Sequence, residues 1–249
     1  MPDEADPHEL AGQHPPLAGT AGGAEAAHPL GGNPGGRGAE HGVRGGAGAG
    51  GEIARDTRPD RATRYLDTAL GVLSYAQLAP LLADRVVVVE AAIYSGAFQA
   101  RELADDLFLD LHTRICADLV PEWAGRWRSI EVRVGNLHPP LPHQVPVLMR
   151  DYARDLAARW EDAAATPGPR TLEFLAFAEG RFLTIHPFRD FNGRTIRLVL
   201  RELLRRLDFP RIHLEPEPGP ATAAYYLALE SADRHDFAPL IGIWQERLQ

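Results

Sequence analysis

The run His186-Pro187-Phe188-Arg189-Asp190-Phe191-Asn192-Gly193-Arg194-Thr195-Ile196-Arg197 concentrates residue types that could bind and activate a polyphosphate. Pro187 disfavours helix at the residue before it, so a preceding helix ends with the His186 imidazole beside a loop. Asn192 and Gly193 permit a tight turn that points successive N–H groups into one concavity. The next helix begins there, so its positive end faces the same space. Arg194 and Arg197, three apart in its first turn, can point the same way. Asp190 is the lone acid among these cationic elements, which suits a Mg²⁺ ligand. His186 is the group able to accept a proton near neutral pH, and Phe188 is expected to anchor the loop in the core. Taken singly, a His before Pro, an Asn-Gly pair or two helical arginines are common surface features; their joint order and spacing point to a site.

Two helices must hold this loop. Thr171 to Ile185 is apolar around its circumference, which predicts a buried helix. Thr195 to Leu207 places Ile196, Val199, Leu200, Leu203, Leu204 and Leu207 on one side. Helical spacing also runs through Tyr65 to Leu82, Leu103 to Leu119, Val145 to Trp160, Ala221 to Ser231 and Phe237 to Leu248. The valine-rich Arg85 to Glu90 fits a strand or a buried helix, and helix is the expectation. Ile130 to Gly135 alternates apolar and charged residues and predicts a strand. The turn-rich Asn136 to Pro142 then makes it part of a small hairpin. The expected fold is therefore mainly α with one small β-hairpin. Arg201, Arg205 and Arg206 are expected on a solvated helix face.

Residues 1–52 have a different composition: they hold fifteen of the 24 glycines and almost no large apolar residues. Such a segment cannot bury enough surface to offset its ordering entropy and is expected to be disordered. The organisation predicted is a tail (1–52), a helical segment (53–100) and a catalytic domain (101–249). A net charge of −8 argues against broad binding to nucleic acid or anionic membrane. The lone Cys116 makes no internal disulfide. Neither a secretory leader nor an apolar span is visible, which favours the cytoplasm and leaves delivery by a secretion machine open.

HPFRDFNGRTIR resembles the Fic (fido) family motif H-x-F-x-[D/E]-G-N-G-R-x-x-R. It matches each defining position but one, where Phe191 replaces the first glycine. Trp123 to Arg128 is similar to the family's approach to its flap. Val132-Arg133-Val134-Gly135 through His138-Pro139-Pro140 is similar to the flap itself. Tyr225-Tyr226 with Leu229, Ala232, Asp233 and Pro239 is similar to the helix pair closing the nucleotide pocket. The resemblance spans roughly residues 103–248. It implies a Fic-type helical domain that moves AMP from ATP to a Ser, Thr or Tyr hydroxyl of a target protein, releasing pyrophosphate. His186 would be the general base and Asp190 the Mg²⁺ ligand. Asn192 and Gly193 would cradle the phosphates, Arg194 would neutralise them, and Arg197 would support the pocket. Tyr225 and Tyr226 would flank the nucleoside, with Asp233 near the base. Val132, Arg133, Val134 and Gly135 would pin the target by strand-like pairing.

Phe191 keeps alternatives open. Its ring either crowds the phosphate hollow or turns away, and a positive φ there would be strained. The alternatives are a degenerate domain that binds nucleotide or a partner without catalysis, and a member using UTP or a phosphocholine donor. Many relatives carry an inhibitory [S/T]-x-x-x-E-[G/N] helix, but no Ser or Thr in this chain has Glu four places on. Control by a separate inhibitory protein is expected instead. A purified chain that gains activity when one of its own glutamates is replaced would contradict that.

Overall fold

The computed structural model describes residues 65–134, 137–165 and 167–249. The tail and the start of the 53–100 segment lie outside them. The elements in order are β1 (Tyr65–Thr68), β2 (Gly71–Ser74), α1 (Tyr75–Tyr94), α2 (Asp105–Cys116), a 3₁₀ turn (Pro142–Gln144), α3 (Val145–Ala165), α4 (Pro169–Ile185), α5 (Asn192–Arg206), α6 (Pro220–Asp233) and α7 (Ala238–Arg247). Among the described residues no helix is long and apolar enough to cross a membrane.

α4 is the central element, packed against α3, α5, α6 and α7. Its apolar circumference is buried as expected, from Phe174 to Ile185. Gly180 permits the close approach of the last two helices. A Cβ there would come within 2.9 Å of Ala232 Cβ and 3.0 Å of the Phe237 ring. α5 turns its leucine side inward against α1 and α2. The valine-rich Arg85 to Glu90 lies within α1, as predicted.

Two assignments change. Tyr65 to Leu82 is not one helix: Tyr65–Thr68 and Gly71–Ser74 form an antiparallel hairpin, with Leu66 opposite Leu73. The apolar residues there satisfy both periods, and the turn decides. Gly71 takes φ +100, and Thr68 Oγ1 donates to the Gly71 carbonyl at 2.7 Å. The helix start is set by Ser74, whose backbone N–H donates to Gln77 Oε1 at 2.9 Å while Gln77 N donates back to Ser74 Oγ at 3.3 Å. The predicted strand at 130–135 is reduced to an isolated bridge between Val134 and Leu137, closed by bonds of 3.2 and 2.8 Å. In an antiparallel ladder the next hydrogen-bonded pair would be Val132 with Pro139, and proline has no N–H to give.

Candidate active site

α4 stops at Ile185, and His186 takes the left-handed conformation (φ 50, ψ 62) with its N–H bonded to the Phe182 carbonyl. This is the break that Pro187 predicts. Its side chain stands at the start of the loop and is 8% exposed. The loop is held from within. Phe188 N donates to Asn192 Oδ1 at 2.9 Å, and Asn192 Nδ2 donates to the Phe188 carbonyl at 3.0 Å. The Asn192 side chain thus acts on the loop's own backbone. α5 opens at Asn192, and Thr195 N donates to the Phe191 carbonyl at 3.0 Å. The N–H groups of the first turn precede the helix ladder and mark its positive end. Gly193 and Arg194 are buried in that turn.

Phe191 adopts φ 61, ψ 21, the conformation a glycine would take without strain. Its ring is completely buried and stacks on Trp123 at 5.6 Å between centroids. The bulky residue thus keeps a glycine-like backbone and turns its side chain into the core, away from the solvent face of the turn. The left-handed backbone costs of order 1–2 kcal/mol, less than the several kcal/mol gained by burying a phenylalanine ring among aromatics.

Beneath the loop lies a residue with no sequence signal of its own. His112 of α2 is fully buried and stacks on Phe188, with centroids 3.8 Å apart and planes 4° apart. Its Nδ1 accepts from Gly125 N at 2.9 Å, so the neutral ring carries its proton on Nε2, which lies 3.2 Å from the Asp190 carbonyl. Gly125 has φ +63, and a Cβ there would overlap the Thr113 hydroxyl. Burial pushes the His112 pKa down to about 3. Its unfolded value is about 6.5, so the unfolded chain binds the extra proton as pH falls below that point. Stability contributed by the neutral ring is therefore complete above about pH 6.5 and declines at about 1.4 kcal/mol per unit toward pH 3. Denaturant titrations should show a loss of about 2 kcal/mol from this group between pH 7 and 5. A His112→Gln variant should lose that part of the slope, and an unchanged slope would contradict it.

The Asp190 carboxylate is buried and doubly engaged. Oδ1 accepts from Phe191 N at 2.8 Å, and Oδ2 accepts from the Tyr75 hydroxyl at the start of α1. Tyr75 lies 115 residues before Asp190 and outside the motif, so only the fold brings it here. Among the described residues no cluster of three acidic, His or Cys side chains could hold a metal ion alone. A cation would need phosphate and water oxygens beside Asp190, which is how Mg²⁺ is commonly held.

Arg197 pairs with Glu215 at 3.0 Å, and Arg201 with Glu90 at 2.5 Å. Burial opposes ionisation of the Glu215 carboxyl, but the two arginines bring its pKa below the ordinary range. Arg205 and Arg206 grip the buried Glu202 at 2.9 and 2.6 Å. The arginines beyond the motif are therefore not a solvated face. Each finds a carboxylate: Glu202 lies three and four residues before Arg205 and Arg206 on the same helix, whereas the Glu90 partner of Arg201 comes from α1 and is not given by helical spacing.

Of the α6 residues, Tyr225 is buried and its hydroxyl donates to Glu179 Oε1 at 2.7 Å. Arg247 closes that buried network by donating to Glu179 Oε2 at 2.8 Å. Tyr226 is half-buried beside it, with ring centroids 6.1 Å apart. Asp233 accepts from Thr184 Oγ1 at 2.8 Å, which ties the end of α6 to the last turn of α4, two residues before His186. Burial raises the Asp233 pKa against the opposing bond from Thr184. In the flap, Val134 is buried, Val132 half-buried and Arg133 exposed; Gly135 lies outside the described residues. Arg128 joins flap and loop. It donates to the His186 carbonyl from Nε at 2.8 Å, and its backbone N–H donates to the Pro187 carbonyl at 2.9 Å.

Residues 102–204, a segment that runs from just before α2 to the last turn of α5, match the sequence model of the Fic/DOC family. Over 140 residues the chain is 32% identical to protein adenylyltransferase fic-1 of Caenorhabditis elegans, covering 56% of this chain and 26% of that protein. The fold is similar to BepC, an effector protein of Bartonella tribocorum solved with bound AMPPNP. The TM-score there is 0.57 at 15% identity, covering 75% of this chain and 93% of that one. It is also similar to residues 134–508 of C. elegans Fic-1, with a TM-score of 0.52 at 25% identity, covering 70% and 55%. The chain spans about a quarter of the length of the curated relatives it matches.

Proposed function

We propose that this chain is a protein adenylyltransferase that moves AMP from ATP to a Ser, Thr or Tyr hydroxyl of a target protein. The observation that carries the proposal is the backbone of the 186–197 turn. Phe191 holds the left-handed φ and sends its ring into the core, so the substitution leaves the phosphate-facing side of the turn to backbone N–H groups. The alternative of a non-catalytic binding module rests on Phe191 crowding the hollow, and the buried ring removes that support. The names of the curated relatives point the same way.

In the reaction, the His186 imidazole takes the proton of the target hydroxyl. The freed oxygen forms a bond to the α-phosphorus as the bond to the bridging oxygen of the β-phosphate breaks, and pyrophosphate leaves. Such transfer depends on positioning and on neutralising charge. The N–H groups at the start of α5 and the Arg194 guanidinium serve that second need. Arg197, paired with Glu215, braces the wall behind them. Asn192 acts by holding the loop. Tyr226, the less buried of the α6 pair, has the surface to flank a base, and Asp233 stands at the end of α4 with Thr184. The flap around Val132, Arg133 and Val134 would hold the target segment by backbone pairing.

Asp190 would hold Mg²⁺, which when bound shields the phosphates and orients the leaving group. Asp190→Asn keeps the shape and one acceptor oxygen for the Phe191 N–H while removing the charge. Transfer at low millimolar Mg²⁺ should fall on the order of 100-fold and recover in part at higher Mg²⁺. Equal Mg²⁺ dependence in variant and wild type would sink this role for Asp190. The donor is tested by supplying ATP labelled at the α-phosphorus with a cell lysate and adding unlabelled UTP, CTP or GTP. Unlabelled ATP alone should suppress labelling; stronger suppression by UTP would overturn the choice of donor.

A further inference from the structure

We infer that Arg128 is a positioning residue that fixes the flap in register with the histidine end of α4. The inference rests on the transferase reading above, because the distance from flap to His186 matters only if a target segment lies between them. Arg128 is 4% exposed, and its guanidinium makes four hydrogen bonds, all to backbone carbonyls. Two run to the end of α4: Nε to His186 at 2.8 Å and Nη2 to Ile185 at 3.3 Å. The other two run to opposite feet of the flap: Nη1 to Ile130 at 3.1 Å and Nη2 to Pro140 at 2.5 Å. The backbone bond from Arg128 to Pro187 makes a third link to the α4 end.

This arrangement suits a planar cation. Burial lowers the Arg128 pKa, yet guanidinium remains charged in proteins. The carbonyls at the end of α4 supply the negative end of a helix dipole, which offsets part of the desolvation. Among the described residues no regular sheet does the same work, and the flap carries the isolated Val134–Leu137 bridge. Its two feet are therefore held to each other and to His186 largely through one side chain. A lysine cannot replace it. A single ammonium keeps the charge but cannot span carbonyls on both feet and on the helix end. Because displacement by about 1 Å can cost on the order of 100-fold in rate, the expected defect lies in use of the target rather than of ATP.

The test uses the full chain with Arg128→Lys and Arg128→Gln. The acceptor is whichever lysate protein the wild type labels from α-labelled ATP and Mg²⁺, purified by its label. Both variants should raise the apparent KM for that acceptor, or lower kcat/KM toward it, by about tenfold or more, while the KM for ATP stays within about twofold. Hydrogen exchange over residues 130–140 should quicken about tenfold, with residues 190–200 unchanged. Parallel losses in ATP and acceptor use, or restoration of wild-type values by lysine, would overturn the inference. So would unaltered exchange in the flap, a result that decides the matter even if the wild type labels nothing. Absence of wild-type labelling, by contrast, counts against the transferase reading.

Discussion

Replacing His186 with asparagine is expected to lower AMP transfer by about 10³-fold, within the 10²–10⁴ range typical of a lost general base, while ATP affinity changes little. Asparagine is the appropriate replacement because position 186 is left-handed (φ 50), a conformation Asn accepts more readily than most residues. A loss caused by a disturbed loop is thereby separated from a loss of the base. The Phe188–Asn192 clamp and the Arg128 bond to the residue's own carbonyl involve backbone at 186 to 188 and should survive. Transfer is followed with α-labelled ATP and binding by equilibrium titration. A variant that retains more than about a tenth of wild-type transfer would show that another group takes the proton.

The second large effect runs against family resemblance. Phe191→Gly restores the residue that the motif prefers, yet it should destabilise the domain. Removing a buried phenylalanine ring costs about 3–5 kcal/mol in Phe→Ala comparisons. Relief of the left-handed backbone returns about 1 kcal/mol. The net loss of about 2–4 kcal/mol corresponds to a fall in Tm on the order of 5–15 °C for a domain of this size. The cavity would open beside Trp123 and His112, under the loop. Calorimetry or thermal denaturation monitored by circular dichroism measures it. An unchanged Tm with tighter nucleotide binding would mean that the ring occupies the phosphate hollow in solution.

These expectations show where local sequence pattern stops being informative. Both helix ends around the motif are legible, because Pro187 and the Asn192-Gly193 pair act on their immediate neighbours. The buried character of α4 is legible because nearly every position is apolar. At Tyr65 to Leu82 the apolar spacing fits two periods, and only the Gly71 turn and the Ser74 cap decide between hairpin and helix. At 130–135 the alternation predicts a strand but says nothing about the donor missing opposite Val132 at Pro139, and the ladder there is an isolated bridge.

The candidate site divides in the same way. His186, Asp190 and the arginines are adjacent in sequence, so their type and order can be read directly. Their support cannot. His112 lies 78 residues from Asp190, Tyr75 115 residues, and Arg128 58 residues from His186. Each looks locally like an ordinary helical or loop residue, and only packing brings it beneath the turn. The direction of the Phe191 ring was likewise open in sequence, because the choice depends on Trp123 being there to receive it. Tyr225 shows the converse: its resemblance points toward a nucleoside, while its hydroxyl is committed to Glu179.

Mass spectrometry of a cell lysate incubated with the full chain, ATP and Mg²⁺, beside the same lysate with His186→Asn, tests the central claim most directly. The account predicts peptides carrying one adenylyl group on Ser, Thr or Tyr with the wild type and none with the variant. No adduct from the folded wild type, an adduct of different mass, or equal modification by the variant would contradict it.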